Sequence, residues 1–188
     1  MYKKTAYFIA GMRCVLISLA VGLTQPVCAE ELHTFALTSP PSADERAYLG
    51  ITPDTFKLAD VQAEIIIVEL FSLYCAMCAK EAPAVSELFS LAKKNTTPQR
   101  RIVLIGIGAG NSADEVARFK KQNNVLFPLV PDQKMTVARS MKMAITPGFI
   151  AFKKQPDGSL VRLHTRVGVL GPPQHFLDSA FQAAAGLP

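Results

Sequence analysis

The segment Cys75-Ala76-Met77-Cys78 carries the strongest chemical signal in the chain. It follows an apolar, β-branched run, Ile65 to Phe71, and opens a stretch of helical periodicity. Two residues between cysteines at a helix start let the sulfurs bond to each other. The first sulfur then sits beside unpaired backbone N–H groups and the positive end of the helix dipole. Both favour thiolate, the nucleophile of disulfide exchange. Cys78, half a turn further in, is suited to resolving a mixed disulfide.

Other uses of the pair compete. A structural bridge would close a tiny loop and stabilise little. Zinc needs about four ligands, whereas residues 30–188 offer two cysteines and the scattered His33, His164 and His175. Soft Cu(I) held by Cys75, Cys78 and Met77 is a different use of the same sulfurs. A thiol peroxidase is another, because Ser72 stands three residues before Cys75, but Val68 occupies the place where that motif wants a proline. Redox exchange is the reading favoured by position, and it requires no prosthetic group.

Two further features bear on that chemistry. Glu69 interrupts the apolar run, and strand alternation puts it on the face of Ile65 and Ile67, under the start of the cysteine helix. A carboxyl group in an apolar site has its pKa raised, which suits exchange of a proton with Cys78. Thr146-Pro147 precedes a second apolar run. A cis peptide there would expose the Thr146 backbone for strand-like pairing with a bound peptide; an ordinary trans proline in a loop is the alternative.

Residues 1–29 read as a secretory signal peptide. Lys3, Lys4 and Arg13 form a basic start without acids, Cys14 to Leu23 is an apolar run of ten, and Val27-Cys28-Ala29 precedes Glu30. Ten residues fall short of the roughly 20 a membrane-spanning helix needs. Cleavage after Ala29 would remove Cys14 and Cys28 and leave Cys75 and Cys78 alone in an oxidising compartment. The expected location is the bacterial periplasm, since Gly186-Leu187-Pro188 is not an ER-retention signal. Residues 30–188 carry 17 basic and 15 acidic side chains, so this part lacks the basic footprint of a nucleic-acid binder. Its length suits a single domain of about 150 residues.

The elements that must position these residues follow from periodicity. Ser42-Ala43-Asp44-Glu45 is a capping box opening a helix to Leu49, with Gly50 at its end. Residues 30–41 look extended and 56–61 are ambiguous. Strands are expected at 65–71, 102–107, 127–130, 148–152 and 160–167, and helices at 76–94, 112–122, 133–142 and 173–185, with Pro83 inside the first of these. Gln155-Pro156-Asp157-Gly158 joins the last two strands as a hairpin turn. The order is that of an α/β fold with a central mixed sheet and helices on both faces. Gly106 to Gly110 is a glycine-rich strand end without the spacing of a dinucleotide loop. Met135 to Met143 are expected to pack a helix face, and His164 to lie on the surface.

Together these features resemble the thioredoxin-like superfamily over most of residues 56–185. Glu69 through Cys78 is similar to its strand-to-active-site segment, including the buried acid six positions before the first cysteine. Pro83 matches its kink proline, Thr146-Pro147 its cis-proline loop, and Gly168 the glycine closing its last strand. The extra strand and helix at 102–124, before the cis-proline loop, resemble TlpA/ResA-like exported thiol–disulfide oxidoreductases. The resemblance implies Cys75, Cys78 and Glu69 as catalytic groups and Tyr74, Ala76, Met77, Thr146 and Pro147 as substrate contacts. The implied partners are cysteine-containing proteins and a redox partner protein. Tyr74 replaces the family's usual tryptophan, and Ala76-Met77 lacks the Pro or His common between the cysteines. Thiolate stabilisation then rests on the helix start, about one pKa unit, which implies a middling to reducing potential.

Overall fold

The computed structural model describes residues 35–143 and 145–187. The expected leader, residues 1–29, lies outside them.

The seven residues Ile65–Phe71 form β3, every one of them buried. β3 is the middle of a five-stranded sheet, with two strands on either side of it. β4 (Ile102–Ala109) runs parallel to β3, and β5 (Leu129–Asp132) parallel to β4. β6 (Gly148–Lys154) is antiparallel to β3, and β7 (Leu160–Val167) antiparallel to β6. A strand with a neighbour on each edge and cover on both faces reads as a continuous apolar run, which is why β3 lacks alternation.

The two faces hold separate cores. Ile65, Ile67 and Phe71 pack with Val85 and Leu88 of α2 (Ala76–Lys94), Val116 and Phe119 of α3 (Ala113–Gln122), and Phe176 and Leu177 of α5 (Pro173–Ala185). Ile66, Val68 and Leu70 pack on the other side with Leu49 of α1 (Ala43–Leu49) and with Val137 and Ala138 of α4 (Thr136–Ser140). That side also takes Leu37 of β1 (Leu37–Thr38) and Phe56 of β2 (Thr55–Phe56), a two-stranded pair. The ambiguous segment 56–61 resolves into the end of β2 and a 3-10 turn at Leu58–Asp60.

Capping follows the sequence in most places. Ser112 forms the full capping box with Glu115. Ser42 accepts from the Glu45 N–H, but the Glu45 carboxylate instead pairs with Lys120 of α3 at 2.6 Å, so that box is half made. Gly50 ends α1 in the left-handed region at φ 69°.

Three expectations are corrected. The helix expected at 133–142 shrinks to Thr136–Ser140. Asp132, buried, accepts the Thr136 and Ala138 N–H groups at 2.8 Å each and fixes the start, with Met135 left-handed at φ 54°. The strand expected at 127–130 is shifted to Leu129–Asp132; its Pro131 is tolerated at a sheet edge. His164 is half-buried, its ring edge-on to Phe176 at 5.1 Å, rather than a plain surface residue. The glycine-rich end of β4 has a packing cause. A Cβ on Gly106 would lie 2.3 Å from Leu129 Cδ2, and one on Gly108 2.8 Å from Val116 Cγ2.

Candidate active site

Strand β3 ends at Phe71, and residues 72–75 turn the chain into α2. Cys75 is the N-cap of α2, extended at φ −95°, ψ 100°. Its Sγ accepts the Cys78 N–H at 3.1 Å. The helix start therefore aims an N–H that has no acceptor within the helix, together with its dipole, at the Cys75 sulfur, as the spacing anticipates. Cys75 is half-buried, whereas Cys78 is fully buried against the α2 core, and the two are disulfide-bonded with Cα atoms 5.3 Å apart. α2 runs on through Pro83, whose missing N–H leaves the Ala79 carbonyl without its helical donor.

Thr146-Pro147 is a cis peptide. The Thr146 carbonyl oxygen lies 3.4 Å from Cys75 Sγ, so the loop before β6 touches the sulfur expected to be the nucleophile. The Gly168 N–H donates to the Pro147 carbonyl at 2.9 Å and ties the end of β7 to this loop. Tyr74 is 73 % exposed and Met77 43 %, with Ala76 exposed between the cysteines. Ile145, Val167 and Val169 also expose apolar surface, the first beside the cis-proline loop and the others flanking Gly168.

Glu69 is 2 % exposed. In register it sits between Gly106 of β4 and Phe149 of β6. It shares its side of the sheet with Ile65, Ile67 and Phe71, the side on which Cys78 is buried. Burial, and secondarily the negative charge of Glu81, push its carboxyl up to about 8 from an ordinary 4.5. Its proton affinity is thereby brought close to that of an ordinary thiol, about 8.5.

Three residues at the site escape the sequence reading. Glu81 lies three positions after Cys78 on α2 and accepts the Leu170 N–H at 2.8 Å through Oε2. Its spacing of i+3 from a buried cysteine was the available signal. Asn111, fully buried in the turn between β4 and α3, accepts the Leu73 N–H at 2.9 Å and donates from Nδ2 to Ser72 Oγ at 3.4 Å. Glu115, at the start of α3, accepts the Tyr74 hydroxyl. The last two reach the loop from about 40 residues away, which no local pattern announces. Among the described residues, no group of three His, Cys, Asp or Glu is placed to hold a metal ion.

The sequence profile of the AhpC/TSA family matches residues 31–165, well over half the chain. The chain belongs to the AhpC/TSA family. The matched span takes in β3, the cysteine pair, the β4–α3 unit and the cis-proline loop. The AhpC/TSA chain also shares its fold with proteins of known structure. DsbF of MTB, solved in mixed oxidized and reduced forms, is 13 % identical with a TM-score of 0.58; the match covers 81 % of this chain and 96 % of that one. A secreted disulfide oxidoreductase of Mycobacterium tuberculosis, described as homologous to E. coli DsbE, is 16 % identical with a TM-score of 0.55, covering 84 % and 99 %. StoA of Bacillus subtilis is 16 % identical with a TM-score of 0.53, covering 77 % and 94 %. No curated protein matches the sequence. This AhpC/TSA member is thus a thioredoxin-fold enzyme of the thiol–disulfide oxidoreductase class, with Cys75 and Cys78 forming its disulfide.

Proposed function

We propose that the protein is exported, its leader removed after Ala29, and that residues 30–188 act as one thioredoxin-like domain reducing disulfides in partner proteins. The observation that carries the exchange chemistry is the Cys75 sulfur at the start of α2, taking the Cys78 N–H on one side and touching the Thr146 carbonyl on the other.

In the dithiol state, Cys75 thiolate attacks one sulfur of a substrate disulfide. A Cys75–substrate bond forms, and the other substrate sulfur leaves as thiolate and takes a proton. Glu69 carboxylate accepts the proton of Cys78. The Cys78 thiolate attacks Cys75 Sγ, the second substrate sulfur leaves, and Cys75 and Cys78 are oxidised by two electrons. A dithiol protein partner resets the pair, and Glu69 returns the proton. Tyr74, Ala76, Met77 and the Thr146-Pro147 loop form the surface on which the substrate chain lies. The reducing direction is supported by the absence of a His between the cysteines, which leaves the helix start as the main stabiliser of the Cys75 thiolate.

A peroxidase reading has one observation in its favour, Ser72 beside the family match. The Ser72 hydroxyl is, however, engaged by Asn111 Nδ2 and the Tyr74 N–H, both at 3.4 Å. Reduction of insulin disulfides with dithiothreitol as electron source decides between them. Wild type is expected to accelerate it, Cys75→Ser to abolish the acceleration, and Cys78→Ser to accumulate a mixed disulfide through Cys75. Peroxide consumption faster than insulin reduction would assign the protein to peroxidase chemistry instead.

A further inference from the structure

Tyr74 presents most of its ring to solvent next to the reactive sulfur, yet it is fixed at both ends. Its backbone N–H donates to Ser72 Oγ at 3.4 Å, and the preceding Leu73 N–H donates to Asn111 Oδ1 at 2.9 Å. Its hydroxyl donates to Glu115 Oε1. Glu115 is itself held, because its Oε2 accepts the Ser112 N–H at 2.8 Å in the capping box of α3. The Arg118 guanidinium lies 4.0 Å from the same Oε1. One short segment, Asn111 to Glu115, therefore grips the active-site loop from below and the Tyr74 ring from its far end.

An exposed hydrogen bond of this kind adds little to folding stability. Its consequence lies in order. A free surface aromatic must be immobilised when a partner packs on it, which costs affinity, and a ring fixed beforehand avoids that cost. A phenylalanine ring cannot be held in this way, because it has no donor to offer.

We propose that Glu115 is a positioning residue for exchange with protein substrates: it anchors the Tyr74 phenol and fixes the aromatic surface against which the chain flanking the target disulfide packs. The inference rests on the thiol–disulfide reading above and adds a determinant outside the cysteine and cis-proline segments. The hydrogen bond to Glu115 also raises the Tyr74 pKa, as a carboxylate acceptor must.

The test is steady-state reduction of insulin, with KM and kcat resolved, for wild type, Glu115→Ala, Tyr74→Phe, the double variant and Ser112→Ala. Glu115→Ala is expected to raise KM about 2- to 12-fold, the range that ordering one side chain implies, with the loss falling on KM rather than kcat. Tyr74→Phe should raise KM to a similar extent, and the double variant no further. Ser112→Ala weakens the helix cap without touching the phenol and should leave KM as in wild type. Unchanged KM in Glu115→Ala, independent losses that multiply in the double variant, or a Ser112→Ala variant that reproduces the effect would each overturn the proposal. A phenol titration by ultraviolet absorbance, wild type minus Tyr74→Phe, reads the anchor without turnover. Tyr74 should ionise above the ordinary tyrosine range and return to it in Glu115→Ala; ordinary ionisation in wild type also overturns the proposal. If wild type fails to reduce insulin, it is the thiol–disulfide reading that falls.

Discussion

Replacing Glu69 by Gln removes a buried titratable carboxyl with little change of shape, and the effect on stability depends on pH. In the folded protein the Glu69 carboxyl titrates at about 8, against 4.5 ordinarily. Between those values the folded state holds a proton that the unfolded state has released. Stability from this group is therefore complete below pH 4.5 and is lost as pH rises towards 8, at about 1.4 kcal/mol per pH unit. The ceiling is about 5 kcal/mol, and at pH 7 the loss is about 3 kcal/mol. Glutamine stays neutral, so Glu69→Gln should show no such loss. The assay is urea unfolding of the oxidised protein, in which neither cysteine titrates, at half-unit steps from pH 5 to pH 8. The stability of wild type relative to Glu69→Gln should fall by about 3 to 4 kcal/mol across that window. The comparison cancels the histidines and any fixed cost of burying an amide. Parallel curves for the two proteins would mean that Glu69 is ionised throughout, and its role as proton partner of Cys78 would fall with the pKa.

Two more outcomes follow from neighbouring residues. Glu81→Gln removes the negative charge that helps raise Glu69 while its amide oxygen can still accept the Leu170 N–H, so the Glu69-linked fall in stability should level off at a lower pH and be smaller in total; an unchanged end point would leave burial as the sole cause. Gly148→Ala places a Cβ 2.2 Å from Met143 Sδ and 3.0 Å from the Ile145 carbonyl oxygen, beside the cis-proline loop. It should cost about 1–3 kcal/mol in urea unfolding at unchanged m-value, and wild-type stability in this variant would show that the loop is not packed as described.

Much of this architecture is readable from residue order. β3 and α2 appear with the expected bounds because each signals strongly: an unbroken β-branched run for a strand covered on all sides, and buried residues at helical spacing from Cys78 to Ala92. α5 is equally clear, with Pro173 at its first position. Cys75, Cys78 and Glu69 are legible as a site because one strand and the helix it feeds carry all three. The misses have a common physical cause, which is dependence on distant partners. α4 is short because the buried Asp132 captures its first N–H groups, a contact invisible to periodicity. β1 and β2 are two residues each and exist through pairing with one another. Asn111 and Glu115 become site residues only when the segment from β4 to α3 is folded against the loop at 72–75, and Glu81 only when α2 is packed beside Leu170 and near Glu69. The Ser112–Glu115 capping box is visible in the sequence, but not that its carboxylate has an oxygen left for Tyr74.

The central claim is that Cys75 and Cys78 form a working redox couple. Its most direct test is equilibration of the protein with dithiothreitol and glutathione buffers, counting free thiols at each poise. The account predicts one two-electron transition on the reducing side, nearer thioredoxin's value of about −270 mV than the strong oxidant's of about −120 mV. A pair that stays oxidised or reduced across the whole series, equilibrating with neither buffer, would contradict it.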